Sequence, residues 1–372
     1  MKKEHILVIR FSALGDVAMV VPVVYTLAHT YPDIRITVLS RPFARQLFED
    51  LAPNVAFMAA DVKNDYRGMK GLNRLYRRLA AKQFTAVADL HAVLRSNYLR
   101  MRFNLGRYRV EHVKKHRQDR RRLVASEGKK ILKQLPSPFE NYSDVFRRLG
   151  YPIGDISFHS VFASGSRSTV TDGTGSKPAG DLSLLPSAIG QKRSWERWIG
   201  IAPFAAHEGK TYPVEMMETV VRRLVEIYPK ARIFLFGRGK KEDEVYTQWT
   251  SQMSQCLNVG QHVGTLYEEL IVMSHLDVMV SMDSANMHLA SLTATPVVSI
   301  WGATHPMAGF MGYAQSDANV VQVDMACRPC SIFGKKACKH GDYPCMRGIS
   351  PDTIVDKVKA VIEASQDKQA GS

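Results

Sequence analysis

Short apolar runs alternate with amphipathic stretches along most of the chain. Ile6–Phe11, Ile34–Leu39, Val55–Met58 and Thr85–Leu90 have the pattern of strands, and helical patterns over Val17–Thr30 and Leu72–Ala81 lie between them. The runs are apolar throughout rather than alternating, as a sheet covered on both faces requires. Strands spaced by helices predict parallel βαβ units. After a break the alternation resumes, with predicted strands at Trp198–Ala202, Arg232–Phe236, Asp277–Ser281 and Pro296–Trp301. Helices are predicted at Pro213–Tyr228, Glu242–Gln255, Ser284–Leu292 and Pro351–Ala364, with Pro213 suited to a first helical turn. No residue-level repeat relates the two halves.

The break sets the expected organisation. Residues 164–181 read SGSRSTVTDGTGSKPAGD, polar and rich in Gly and Ser, which cannot build a core. The division is a first domain over 1–153, a linker or insertion over 154–196, a second domain over 197–350, and a C-terminal helix and tail over 351–372. The longest mostly apolar run, Val17 to Ala28, has twelve residues and is interrupted by Pro22, against the roughly 20 that a spanning helix needs. Near the N-terminus only Ile6–Ile9 is apolar before Arg10, too short for a signal peptide. These features predict a cytoplasmic protein whose five cysteines are reduced or metal-bound.

Charge changes this picture. The 50 Lys and Arg outnumber the 35 Asp and Glu, a formal excess of +15 that points to anionic partners. Arg95 to Lys133 alone holds 14 bases and 3 acids. A solvated basic face, a nucleic-acid surface, and a surface for anionic lipid or a phosphorylated substrate all fit that run, but no recognised nucleic-acid motif is present.

Ligands of open parallel sheets bind at the carboxyl ends of strands, so the junctions there carry the candidate chemistry. The first, Arg10-Phe11-Ser12-Ala13-Leu14-Gly15-Asp16, lacks the G-x-G-x-x-G of a dinucleotide site. That absence argues against a nucleotide-cofactor oxidoreductase. The junction offers Asp16, readable as a helix cap or as a functional carboxylate. The junction Pro203–Pro213 combines small residues with Lys210, which suits either a diphosphate or a surface loop. Gly237-Arg238-Gly239 can be a tight turn. Ser281-Met282-Asp283-Ser284-Ala285-Asn286-Met287-His288 opens a helix with polar side chains, suiting an anion and sugar hydroxyls or serving as cap and packing. Cys327, Cys330, Cys338 and Cys345 make a complete thiolate set for zinc, but the second pair's spacing is not a common zinc spacing, and packing is the competing account.

Taken in order, these pieces resemble the lipopolysaccharide heptosyltransferases of glycosyltransferase family nine. The R-F-S-A-L-G-D-V opening is similar to that family's strand–S-x-G-D–helix. Asp89, Leu90, Arg95 and Ser96 resemble its D-L-x-x-x-x-R-S stretch. Lys210 and Pro213 resemble its K-x-W-P, with Tyr212 in place of Trp. Asp283-Ser284-Ala285 with His288 resembles its D-[ST]-[GA]-x-x-H motif, and Trp301-Gly302-Ala303-Thr304-His305-Pro306 its [YWF]-G-x-T-x-P. The cysteine run with Met346 looks like the C-terminal P-C…C-M segment of many members.

The resemblance implies an α/β, GT-B fold: two Rossmann-like domains with parallel sheets facing across a cleft. It implies an inverting, metal-independent and cofactor-free glycosyltransferase that moves a sugar, heptose from ADP-heptose, onto a lipopolysaccharide core or lipid A-type acceptor. Asp16 is then the general base. Lys210, Glu242, Asp283, Ser284, Ala285 and His288 bind the donor, and Ser12, Gly15, Arg95 and Ser96 the acceptor. The implied partners are a nucleotide sugar, an anionic phosphorylated glycolipid and the inner leaflet of the membrane, with no nucleic acid and with peripheral membrane association. Ala205 and Ala206 depart from the Thr or Ser expected beside the phosphates, which leaves another nucleotide sugar open. Outside the family, the alternative is a basic nucleic-acid-binding protein.

Overall fold

β1 (His5–Ile9) is buried along its whole length and hydrogen-bonds on both sides, in parallel, to β2 (Arg35–Ser40) and β4 (Ala86–Asp89). β3 (Val55–Ala59) and β5 (Arg109–His112) complete a five-stranded parallel sheet of order β3-β2-β1-β4-β5. The order reverses direction beside β1, which makes the carboxyl ends of β1 and β4 a topological switch point. Leu7, Ile9, Leu39 and Met58 pack on Leu75 and Leu79 of the helix Gly68–Ala80 and on Leu99 and Phe103 of the helix Leu94–Leu105.

The structure is a computed structural model and describes residues 4–163, 169–171 and 177–370. β6 (Thr169–Thr171) and β7 (Pro178–Gly180) form a small antiparallel pair. β8 (Trp198–Ala202), β9 (Arg232–Leu235), β10 (Cys256–Asn258), β11 (Val278–Met282), β12 (Val297–Ile300) and β13 (Val320–Val321) form a second parallel sheet of order β10-β9-β8-β11-β12-β13. Its switch point lies between β8 and β11. Ile199, Ile201, Ile233 and Val280 pack on Val220, Val221 and Leu224 of the helix Val214–Ile227, on Trp249, and on Val358 of the C-terminal helix.

The chain divides into two compact units, Met1–Lys115 with Pro136–Arg167, and His116–Leu135 with Ser168–Ser372. This differs from the sequence division in residues 116–135, which were expected in the first domain. Leu123 and Leu135 join Ala308 and Ile332 in one apolar cluster of the second unit. The Arg120 guanidinium lies 5.5 Å from the Phe310 ring and 5.6 Å from that of Phe333. Part of the basic run is therefore held by packing and by cation–π contact.

Parts of the expected linker are also packed. Phe158, Val161 and Phe162 are buried, and the Ser157 amide donates to Thr26 Oγ1 at 3.1 Å. Ala179 and Ile189 are buried, and Arg232 Nη2 donates to the Ala188 carbonyl at 2.9 Å. Residues 164–168 and 172–176 of that stretch lie outside the described residues. The single helix expected over Val17–Thr30 is two, Leu14–Ala18 and Val20–Thr30, with Pro22 in the first turn of the second, where its missing N–H costs no bond.

Candidate functional site

In the first unit the loop after β1 sends Arg10 back across the strand ends. Arg10 Nη1 donates to the Leu90 carbonyl at 2.7 Å and its Nε to the Ser12 carbonyl at 2.9 Å, tying the loop after β1 to the loop after β4. Its Nη2 pairs with Asp16 Oδ2 at 2.7 Å. Burial opposes the Arg10 charge, but the Tyr142 hydroxyl and the carboxylates of Asp16 and Asp89 offset it, and its pKa rises above the ordinary arginine value. Asp16 stands at the third position of the helix Leu14–Ala18, and its carboxylate also accepts from the Ala13 amide at 3.1 Å. Cap and functional carboxylate are thus compatible: the same oxygen caps the helix and meets Arg10, and the side chain is one-third exposed. Ser12 and Gly15 flank it, half-buried.

Asp89 ends β4 directly beside Ile9. It is fully buried and accepts from the amides of His91 and Ala92 at 3.0 and 2.9 Å. These bonds shape the turn that presents His91, whose Nδ1 accepts from the Phe11 amide at 3.4 Å. Burial first, then Arg10, pushes the His91 pKa down to about 3, with Lys115 and Arg95 adding to the fall and Asp16 opposing it. Arg10, Asp16, His91, Arg95 and Lys115 are therefore electrostatic neighbours at one sheet edge. Arg95 is exposed. Ser96 is fully buried, and its hydroxyl accepts from the Val93 amide and donates to the Val93 carbonyl. These bonds make Ser96, expected to contact the acceptor, a capping residue of the helix Leu94–Leu105. Arg10 and His91 were missed in the sequence. The available signals were an arginine directly after a fully apolar strand and a histidine two residues past a strand-end aspartate.

His91 carries a prediction. Its folded pKa of about 3 lies below the ordinary 6.5, so its full contribution to stability is present above pH 6.5. As pH falls from there toward 3, the unfolded chain takes up a proton that the folded chain does not, and stability drops by up to about 1.4 kcal/mol per pH unit. His305, pushed down to about 4 by burial and Arg328, adds in the same direction. His91→Gln is expected to show a visibly shallower loss in denaturant midpoint between pH 6.5 and 4.5 than the parent. Equal slopes would mean that His91 is protonated without penalty.

In the second unit three loops meet at the switch point. Lys210, after β8, pairs through Nζ with Asp283 Oδ2 at 2.8 Å, and Thr304 Oγ1, after β12, donates to the same oxygen at 2.9 Å. Asp283 is 3 % exposed. Expected at the donor, it fixes the position of the Lys210 ammonium. The loop bearing Lys210 sits close on its neighbours: the Ala303 amide donates to the Gly209 carbonyl at 2.8 Å, and a Cβ at Gly209 would lie 2.9 Å from that of Ala303. Buried Arg328, missed in the sequence, holds the loop after β12 from beneath, donating to the carbonyls of Gly302, Trp301 and Thr304 at 2.5, 3.1 and 3.1 Å.

Ser284 is the N-cap residue of the helix Ala285–Leu292, but its side chain makes no cap bond; its Oγ lies 3.3 Å from Ser281 Oγ. Ala285 opens the helix, and His288 is buried one turn along. The first amides of this helix and its dipole favour an anion at the sheet edge. On the other side of β8, Gly237 and Gly239 have φ of +147° and +149°, a conformation that side-chain-bearing residues rarely adopt. The turn lets Glu242 fold over it: a Cβ at Gly239 would fall 2.6 Å from Glu242 Oε2. In the loop after β8, Ala205 is half-buried and Ala206 is exposed.

The four clustered cysteines are free thiols, and Cys345 is buried with its pKa pushed up to about 11, by burial above all. Among the described residues no group of three or more His, Cys, Asp or Glu side chains is arranged to hold a metal ion, so the four cysteines are not placed as a zinc site. No described helix is long and apolar enough to cross a membrane.

A family model described as glycosyltransferase family 9 (heptosyltransferase) matches residues 72–340. A search of curated proteins gave no match. Among solved structures, the chain is similar to a family 9 glycosyltransferase from Veillonella parvula, with 18% identity, 98% of each chain covered and a TM-score of 0.71. It is similar to the ADP-heptose LPS heptosyltransferase II of E. coli, with 17% identity, 97% of this chain and 99% of that one covered and a TM-score of 0.66. A third likeness is to E. coli heptosyltransferase WaaC with ADP, at 15% identity over 96% of this chain and 99% of that one, with a TM-score of 0.64. The fold of this chain, two parallel sheets of five and six strands, is the GT-B fold.

Proposed function

Since the chain belongs to glycosyltransferase family 9 and is a glycosyltransferase, we propose that it transfers heptose from ADP-heptose to a phosphorylated glycolipid of the lipopolysaccharide core or lipid A type, working in the cytoplasm at the inner leaflet. The observation that carries this reading is the Lys210–Asp283–Thr304 cluster beside the N-terminus of the helix Ala285–Leu292. A fixed ammonium and a set of helix-end amides at one sheet edge suit the diphosphate of a nucleotide sugar.

In this reading the second unit holds the donor. Lys210 and the amides of Ser284 and Ala285 take the diphosphate, Glu242 the ribose, and His288 a phosphate oxygen or sugar hydroxyl. Asp283 keeps Lys210 in place. The first unit holds the acceptor, with Arg95, Lys115 and the Ser12–Gly15 loop offering positive charge and amides to its phosphates. Asp16 removes the proton from the acceptor hydroxyl as that oxygen attacks the anomeric carbon. The bond from that carbon to the diphosphate breaks, the nucleoside diphosphate leaves with the bonding pair, and the configuration inverts.

An aspartate carboxylate, with an ordinary pKa of about 3.9, is a weak base for a hydroxyl, so proton transfer comes late in the step. Arg10 keeps the Asp16 carboxylate in one orientation while that happens. The charge that grows on the leaving diphosphate meets Lys210, already desolvated and in position.

The direct test is a thermal-shift panel of nucleotide sugars. ADP-heptose at about a hundred times its Kd is expected to stabilise the protein by about 2.7 kcal/mol. UDP- and GDP-sugars at the same concentration are expected to leave the melting temperature near that of the free protein. A shift with another nucleotide sugar and none with ADP-heptose would reassign the donor.

A further inference from the structure

The helix Leu94–Leu105 has two apolar faces. Its inner face, Ser96, Leu99 and Phe103, is buried. Its outer face carries Leu94, Met101 and Leu105, which are 86, 48 and 75 % exposed. At 3.6 residues per turn these three lie within about 40° of one another, a single stripe along the outer surface. One apolar residue in solvent is ordinary, whereas three large ones in register on one helix mark a contact surface.

The surroundings of the stripe are basic. Arg95 and Arg107 are exposed at its two ends. Arg102, on its flank, donates to Asn73 Oδ1 at 2.9 Å, which joins this helix to Gly68–Ala80. That second helix adds exposed Lys70 and Arg74, and exposed Met69 one turn before Asn73. Across the whole first unit, Met1–Lys115 with Pro136–Arg167, there are 23 Lys and Arg against 12 Asp and Glu. An apolar stripe framed by cations is the pattern of a helix that lies in the interface of an anionic bilayer, its apolar side chains among the acyl chains and its cations among the head groups.

We propose that the helix Leu94–Leu105 is the membrane-docking element of this protein, inserting Leu94, Met101 and Leu105 into an anionic lipid surface. The proposal rests on the reading of the acceptor as a membrane glycolipid. It adds that the surface is gripped by apolar insertion and not by charge alone. The helix begins where β4 ends, in the loop that carries His91, so docking it brings the sheet edge of the first unit to the head-group level where a glycolipid presents its sugars.

The test is co-sedimentation with vesicles, without donor or acceptor, so that its outcome does not depend on sugar transfer. Vesicles of phosphatidylglycerol mixed with phosphatidylcholine are compared with phosphatidylcholine alone, at low salt and at an ionic strength that screens surface charge. The wild-type protein is expected to bind the mixed vesicles and to keep part of that binding at high salt. Leu94→Gln/Met101→Gln/Leu105→Gln, which keeps good helix formers, is expected to partition at least about tenfold less. Leu94→Phe/Leu105→Phe is expected to bind at least as well as the parent.

Unchanged melting temperature and unchanged donor-induced shift establish that the glutamine variant is folded, and a failure of donor binding alone would count against the function and not against docking. Equal partition of the glutamine variant and the wild type would overturn the proposal. A wild-type dimer in sedimentation equilibrium that the glutamine substitutions dissociate would overturn it too, by giving the stripe to a second copy of the chain.

Discussion

Asp16→Asn is expected to bind the nucleotide sugar as the wild type does and to transfer it about 10² times more slowly or worse, the scale on which general-base catalysis operates. The substitution keeps the size of the side chain and its ability to accept from the Ala13 amide, so the helix Leu14–Ala18 stays capped. It removes basicity and the ionic partner of Arg10. Losing that pair has a stability cost of its own, so folding must be checked by melting temperature before rates are compared. A folded Asp16→Asn protein with normal kcat would reduce Asp16 to a cap and an anchor for Arg10, and the proton would need another acceptor. His91 is the neighbour to examine then, since it is an electrostatic neighbour of Asp16 at the same sheet edge.

The largest loss of stability is expected at Asp283. Its carboxylate is buried between Lys210 and Thr304. Asp283→Ala leaves the Lys210 ammonium, mostly out of water, with no counter-charge there, and deprives the Thr304 hydroxyl of its acceptor. Breaking such a pair from one side costs about 3–5 kcal/mol. Removing both charges costs less, because nothing charged is left stranded. In urea denaturation the double variant Lys210→Met/Asp283→Leu is therefore expected to be more stable than Asp283→Ala, although both lose donor affinity. A double variant less stable than Asp283→Ala would mean that the pair contributes by mutual attraction rather than by compensating burial.

The two sheets were legible because their central strands are buried on both faces. β1, β2, β4, β8, β11 and β12 appear as unbroken apolar runs, and the sequence reading placed each to within a residue or two. β10 and β13 went unread because three and two residues are too few to show a pattern, and β5 because it is not buried. Arg109–His112 is a short edge strand of charged residues, stabilised by pairing with β4 rather than by its own pattern. The helix Leu94–Leu105 was not named because apolar residues on both of its faces cancel the periodicity that marks a helix with one. The helix Pro138–Arg148 did carry a signature, Ser137 and Glu140 in a reciprocal capping box, that the pattern reading passed over.

The site was legible as a set of junctions and not as a set of contacts. Strand-end loops could be located along the chain, and Asp16, Lys210, Asp283 and Ser284 all stand in them. That Asp283 serves Lys210 depends on which strands are neighbours, and β8, β11 and β12 are brought side by side only by the crossing of the fold. The capping bonds of Ser96 were illegible for a related reason, since a serine in the first turn of a helix looks the same in the sequence whether it caps or binds.

The placing of residues 116–135 in the second unit has a consequence for how this protein can be cut and recombined. The chain leaves the first unit after Lys115, returns at Pro136 and leaves again after Arg167. Neither unit corresponds to one continuous stretch of gene. During synthesis Leu123 and Leu135 emerge long before Ala308 and Ile332, the side chains they are packed on, so this segment stays without its seat until most of the second sheet has left the ribosome. A chimera made with one junction in the 154–196 region would pair a foreign second sheet with a native 116–135 segment. The aromatic clasp of Phe310 and Phe333 on Arg120 would then have to be supplied by the foreign half. Domain exchange among relatives is consequently constrained at that clasp as well as at the junction itself.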